Sequence, residues 1–192
     1  ICDNSDTTEE MRGIAERISR RAKRRIHHLP TQLPIFDEVG IQKQIDEAFM
    51  RQVWLPCGGY IVIDETEALI SIDVNTGRNR GSKDVEKMIA ETNVEAAHEV
   101  ARQLRLRNIG GLVVVDFIDM RHRRDQQAVY RAMKERLRRD KAKTQVLQIS
   151  AVGLMEMTRQ RLNESLRETL LEPCPYCQGR GKVKTTMTMS VE

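Results

Sequence analysis

Aromatic side chains make up only 4% of the 192 residues, so any core must be built from Ile, Val, Leu and Met. Cysteine is scarce as well. Cys2 and Cys57 stand alone and Cys174 and Cys177 are two residues apart, which excludes a disulfide scaffold and predicts reduced thiols. No apolar run approaches the roughly 18 residues of a membrane span. The polar, acidic start lacks the basic end and apolar middle of a secretion signal. These absences predict a soluble, cytoplasmic protein. There is no starting methionine, and Ile1 precedes an apparent helix start almost directly, as expected of a fragment cut from a longer chain. Neither an internal repeat nor a low-complexity tract is present.

Charge is abundant and nearly balanced. Lys and Arg number 32 against 28 Asp and Glu, giving +4, while 40% of residues are apolar, enough for one or two compact domains. Helix is predicted over residues 7–27, capped by Thr7 or Thr8, with Met11, Ile14, Ala15, Ile18 and Ala22 on one stripe. Six of the nine residues at 17–25 are basic. Residues 29–36, with two prolines, should be extended, and a short helix should follow at 39–50. A β-hairpin is predicted from the apolar segments 60–63 and 68–74. A long helix at 83–107 then leads to the strand 112–118. After that come helix at 124–141, strands at 144–150 and 154–157, and helix at 162–170. Strands alternating with long helices define an α/β fold.

Two acidic positions stand out. Asp73 and Asn75 lie two apart on a strand and share a face opposite Ile72 and Val74. Asp116 sits in the otherwise apolar run Val113-Val114-Val115-Asp116-Phe117-Ile118, where an unpaired charge would cost several kcal/mol. A divalent cation between Asp73 and Asp116 would compensate it, and few carboxylates with water completing the shell suit Mg²⁺. The alternatives are that Asp73 and Asn75 open the turn toward Gly77, and that Asp116 is a strand-end residue bonded to loop amides. Asp64, Glu65, Glu67 and Asp119 read as turn or helix-cap residues. His98 reads as a histidine of the helix surface or core, and His27, His28 and His122 lie in basic runs.

Cys174-Pro175-Tyr176-Cys177-Gln178-Gly179-Arg180-Gly181 has the form of half a zinc site. The two-residue gap lets both thiolates face one metal, and the glycines permit a tight reversal. Structural Zn²⁺ takes four ligands, so the simplest completion is the same pair from a second copy, giving a homodimer around one shared zinc. A redox pair and a chaperone-type knuckle are the alternatives. Among the basic residues, Arg78, Arg80 and Lys83 after Asp73 and Asn75, and Arg121 and Arg123 after Asp116, are best placed to meet a phosphate backbone. Trp54, Tyr60, Tyr130, Tyr176 and the three Phe are scattered, leaving little surface for stacking bases.

Several of these segments together resemble the ribonuclease E/G family. They include Gly58-Gly59-Tyr60-Ile61-Val62-Ile63-Asp64, Ile72-Asp73-Val74-Asn75-Thr76-Gly77-Arg78, Asn93 to Ala97, and Arg102-Gln103-Leu104-Arg105-Leu106-Arg107-Asn108-Ile109-Gly110-Gly111. Val115-Asp116-Phe117-Ile118-Asp119-Met120, Met157-Thr158-Arg159-Gln160-Arg161-Leu162 and the cysteine pair complete the match. The resemblance implies part of an RNase H-like subdomain at 1–49 and a deoxyribonuclease I-like catalytic subdomain at 50–170, a mixed sheet flanked by long helices. It places a zinc link at 171–184 and the start of a further region at 185–192. It also implies an endoribonuclease of RNA processing and decay that hydrolyses single-stranded RNA. In it, Asp73 and Asp116 bind Mg²⁺ (or Mn²⁺), Asn75 holds the site, and Cys174 and Cys177 share zinc in a dimer or a dimer of dimers. Base recognition would reside in an OB-fold domain outside these residues. Lys143 stands where the family can present Arg at a pocket for the RNA 5′-monophosphate, keeping the charge without the planar fork. The rival class is a non-catalytic, zinc-linked RNA-binding or assembly module.

Overall fold

A computed structural model describes residues 1–77, 84–177, 179 and 181. The chain forms two compact units, Ile1–Met50 and Arg51–Glu192. Among the described residues, no helix is long and apolar enough to cross a membrane.

The first unit is helical. Its opening helix α1 (Ser5–Ile18) is capped by Asn4, whose side chain accepts from the Thr7 N–H at 2.9 Å. The expected single helix breaks at Ser19, which is extended and caps the short α2 (Arg20–Lys23) through the Ala22 N–H. Serine's oxygen offers the backbone an alternative partner, so a cap interrupts a continuous basic run. The segment after α2 returns to the chain start, where Cys2 pairs with His28 in an isolated bridge. Two further helices, α3 (Ile35–Glu38) and α4 (Ile41–Phe49), complete the unit.

The second unit is built on a six-stranded sheet in the order β1-β2-β3-β4-β6-β5. Its strands are β1 (Gln52–Trp54), β2 (Tyr60–Glu65), β3 (Ile70–Asn75), β4 (Gly111–Asp116), β5 (Thr144–Val146) and β6 (Leu154–Arg159). The predicted hairpin is β2 and β3, and β1 adds an edge that the sequence pattern did not announce. Only β3 and β4 run parallel, because the helix α5 (Val85–Leu106) carries the chain back between them. The helix α6 (Arg123–Leu137) links β4 to β5, and α7 (Leu166–Leu170) follows β6.

Alternation along the strands divides the sheet into two faces. Ile61, Ile63, Ile72, Val74, Val113, Val115, Met155 and Met157 point one way and form one core cluster with Ala97, Val100 and Leu104 of α5 and Val129 and Met133 of α6. Small alanines on α5 let the helix sit close to the sheet. At the margin of this layer, Arg159 is buried but paired bidentately with Asp140 at 2.7 and 3.1 Å, and also donates to the Ile109 carbonyl at 2.6 Å. Burial alone would raise the Asp140 carboxyl. The Arg159 hydrogen bond, the Ala142 N–H and the charges of Arg159 and Arg105 outweigh it, leaving the pKa below its ordinary value. The opposite face, which carries Asp64, Ser71, Asp73, Asp116, Glu156 and Thr158, has no buried residue among these.

Candidate functional site

The central carboxylates come from neighbouring strands of that second face. Asp73 on β3 is the direct parallel partner of Asp116, the last residue of β4. Neighbouring strands stand about 4.8 Å apart, so the two side chains emerge side by side. Both are exposed. Asp116 therefore ends its strand in solvent instead of lying within a buried apolar run. Partial desolvation, followed by the charges of Asp73 and Asp119, raises the Asp116 carboxyl above its ordinary value. Asn75 donates from Nδ2 to Asp73 Oδ2 at 2.7 Å, restricting that carboxylate to one orientation. These residues line an open depression of about 320 Å³ together with Thr76, Phe117, Ile118 and Asp119. Asp119 is not a helix cap, since His122 occupies the cap position of α6.

The backbone around this depression is held from two directions. Asn93, fully buried on α5, donates to the Ile118 carbonyl at 2.8 Å and accepts from the Ile118 N–H at 3.1 Å. This two-point clamp fixes the turn that follows Asp116. Its signal in the sequence is an amide on the inward stripe of an otherwise apolar helix, beside Ala96, Ala97 and Val100. On the other side, a Cβ at Gly59 would stand 2.8 Å from the Asn75 carbonyl, so only glycine lets the β1–β2 connection pass so close.

The other predicted residues are dispersed. Arg78, Arg80 and Lys83 lie outside the described residues. Arg121 pairs with Glu86 at 3.3 Å, and with Arg123 it lines a separate depression of about 460 Å³ that also includes Tyr130, Gln148 and Ser150. Lys143 is exposed beside the Thr144–Arg159 end of the β5–β6 pair, whereas Asp116 pairs with Leu154 at the other end of β6, about 17 Å of strand away. His98 is half-buried on α5, and burial holds its imidazole below the ordinary value. Cys174 is exposed and Cys177 half-buried at the two ends of one turn. Backbone hydrogen bonds from Cys177 and Tyr176, then one from the Cys177 side chain, lower the Cys174 thiol below its ordinary value. Among the described residues, no three His, Cys, Asp or Glu side chains converge into a ready-made metal cage.

Sheet and site together define a mixed α/β protein that presents paired carboxylates on an open sheet face. The model of the ribonuclease E/G family matches residues 1–162, and the chain belongs to that family. It is 49% identical over 160 residues to ribonuclease E of Haemophilus influenzae, covering 83% of this chain and 17% of that protein. Against ribonuclease E of Escherichia coli K12 the identity is again 49% over 160 residues, covering 83% of this chain and 15% of the relative. Ribonuclease G of the same strain is 43% identical over 168 residues, which is 88% of this chain and 34% of the relative. The chain thus spans about a third or less of the length of these curated relatives.

Proposed function

We propose that this chain carries the catalytic centre of a magnesium-dependent endoribonuclease acting on single-stranded RNA in processing and decay. The observation that carries the proposal is the register of Asp73 against Asp116 on an open face, where two like charges stand together. The donor set fits Mg²⁺: two hard carboxylates can hold the ion while water and phosphate oxygens fill the other positions. Mn²⁺ accepts the same donors. A bound divalent ion supplies the positive charge and the activated water that phosphodiester hydrolysis needs.

The chain's own residues supply placement. Asn75 holds Asp73 in one orientation, and Asn93 holds the turn that carries Asp116. Arg121 and Arg123, with Arg78, Arg80 and Lys83, supply positive charge for the RNA backbone. Lys143 supplies positive charge for RNA from a separate surface. RNA as substrate is supported by the names of the relatives, ribonucleases E and G. Residues 50–170 are assigned to a deoxyribonuclease I-like subdomain, residues 1–49 to part of an RNase H-like one, residues 171–184 to the zinc link and residues 185–192 to the start of a further region.

Cys174 and Cys177 supply half of a tetrahedral zinc site, which a second copy would complete. In that homodimer Cys174→Ala removes both bound zinc and the dimer, as read by metal analysis and sedimentation. Dimers that persist without metal would refute the link.

The test of activity is cleavage of a 5′-monophosphorylated single-stranded oligoribonucleotide with and without Mg²⁺. Cleavage should require the metal and disappear in Asp73→Asn and Asp116→Asn. Cleavage that survives both substitutions would remove the proposed site. RNA binding with no cleavage would favour the non-catalytic module.

A further inference from the structure

The aromatic residues far apart in the sequence are not scattered in the fold. Hairpin register sets Trp54 of β1 directly opposite Tyr60 of β2, and Tyr60 opposite Asn75 of β3. The rings of Trp54 and Tyr60 lie 5.2 Å apart at 60°, a favourable tilted pair. Their row adjoins the one that holds Asp73 and Asp116. Cross-strand partners share a face, so both rings project on the same side of the sheet as the carboxylates. The pair remains accessible, with Trp54 55% exposed and Tyr60 half-buried.

We propose that Trp54 and Tyr60 form a stacking platform for an unpaired base of the RNA strand whose phosphate enters the carboxylate site. This rests on the nuclease assignment and adds to it a place where a base is held. Two observations favour a nucleobase as the occupant. The platform is continuous with the carboxylate row through Asn75, and β1 lies two strand spacings, about 10 Å, from β3. At about 3.4 Å per stacked nucleotide, that separation is a few nucleotides along one strand. The second is the seating of Tyr60: a Cβ at Gly77, at φ +55°, would collide with the Gly58 carbonyl and stand 3.3 Å from the Tyr60 ring, so the ring lies directly against the turn that leaves Asn75. Stacking tolerates any base, since each has a π-face, but requires that base to be unpaired. The platform thereby selects single strands over duplex without reading sequence.

Trp54 is the only tryptophan, so its emission reports the platform directly. The 192-residue chain is titrated without divalent metal, so that RNA is bound and not cut. The probes are a labelled single-stranded oligoribonucleotide of about ten nucleotides and its matched duplex. Tryptophan emission and probe anisotropy are followed together. Emission should fall saturably with the single strand and not with the duplex. Trp54→Ala should weaken single-strand binding roughly five- to hundredfold. Trp54→Phe should stay within a few-fold of wild type, and Tyr60→Ala should bind weakly with reduced quenching. The proposal is overturned if the oligonucleotide binds with unchanged emission and Trp54→Ala binds as wild type, and equally if no single strand binds. Metal-dependent cleavage lost in Asp73→Asn, with no part for Trp54, would leave the nuclease assignment standing and remove only the platform. Quenching and dependence on Trp54 without any metal-dependent cleavage would do the reverse.

Discussion

Alternate residues of the same strands build two faces with opposite duties. On the helix-covered face, Ile72, Val74, Val113 and Val115 are buried against α5 and α6, and one apolar residue differs from another mainly in volume. On the other face, Asp73, Asn75 and Asp116 emerge between them, little burdened by packing, and the two aspartates are free to carry charge. The contrast shows how one run such as Ser71-Ile72-Asp73-Val74-Asn75 holds the sheet together and presents chemistry at once. Every second residue supplies stability, and the intervening ones supply function.

That division predicts opposite outcomes for changes a single residue apart. The largest is expected at the carboxylates, where Asp73→Asn or Asp116→Asn should lower RNA cleavage by at least about 10³-fold. Thermal unfolding should show the fold kept, since neither side chain is buried. A comparable loss of fold would break the distinction between the faces.

Next comes Arg159, a buried charge at the margin of the covered side. Arg159→Ala would strand the Asp140 carboxylate and should cost about 3–5 kcal/mol by denaturant unfolding. The sign of its pH dependence follows from the depressed Asp140 pKa. This contribution is fully present above the ordinary carboxyl value near pH 4 and is lost as pH falls through the lower folded value. Acid titration of stability should therefore show a component in wild type below about pH 4 that Arg159→Ala lacks.

The smallest effect in energy is the one that joins the faces. Asn93→Ala should cost about 1–3 kcal/mol, because the Ile118 N–H and carbonyl lose both partners. It should also weaken Mn²⁺ binding measured by calorimetry, as the turn after Asp116 loosens. Destabilisation with unchanged metal affinity would show that Asn93 supports the fold alone.

Much of this arrangement was legible before any coordinates. The apolar runs around Ile61, Ile72 and Val113 and the uninterrupted helical pattern of α5 located the central sheet and its covering helix. Asp73, Asn75 and Asp116 were visible as polar interruptions in apolar strands. What the pattern could not carry was register. Asp73 meets Asp116 only through the β3–β4 pairing, and Trp54 meets Tyr60 only because the short β1 folds back onto β2. A three-residue strand is too brief to show a period, so β1 and the aromatic pair stayed hidden together. The break at Ser19 was equally silent, because neither proline nor glycine marks it and a hydroxyl alone makes the cap. Asp119 reads as a turn or helix-cap residue, and the loop through His122, which takes the cap, carries it to the rim of the carboxylate depression.

Anomalous diffraction from crystals soaked in Mn²⁺ addresses the paired carboxylates most directly. A metal peak within coordination distance of both Asp73 and Asp116, absent from the Asp73→Asn variant, is the predicted result. A protein that cleaves RNA while its Mn²⁺ binds elsewhere, with no density between those two side chains, would contradict it.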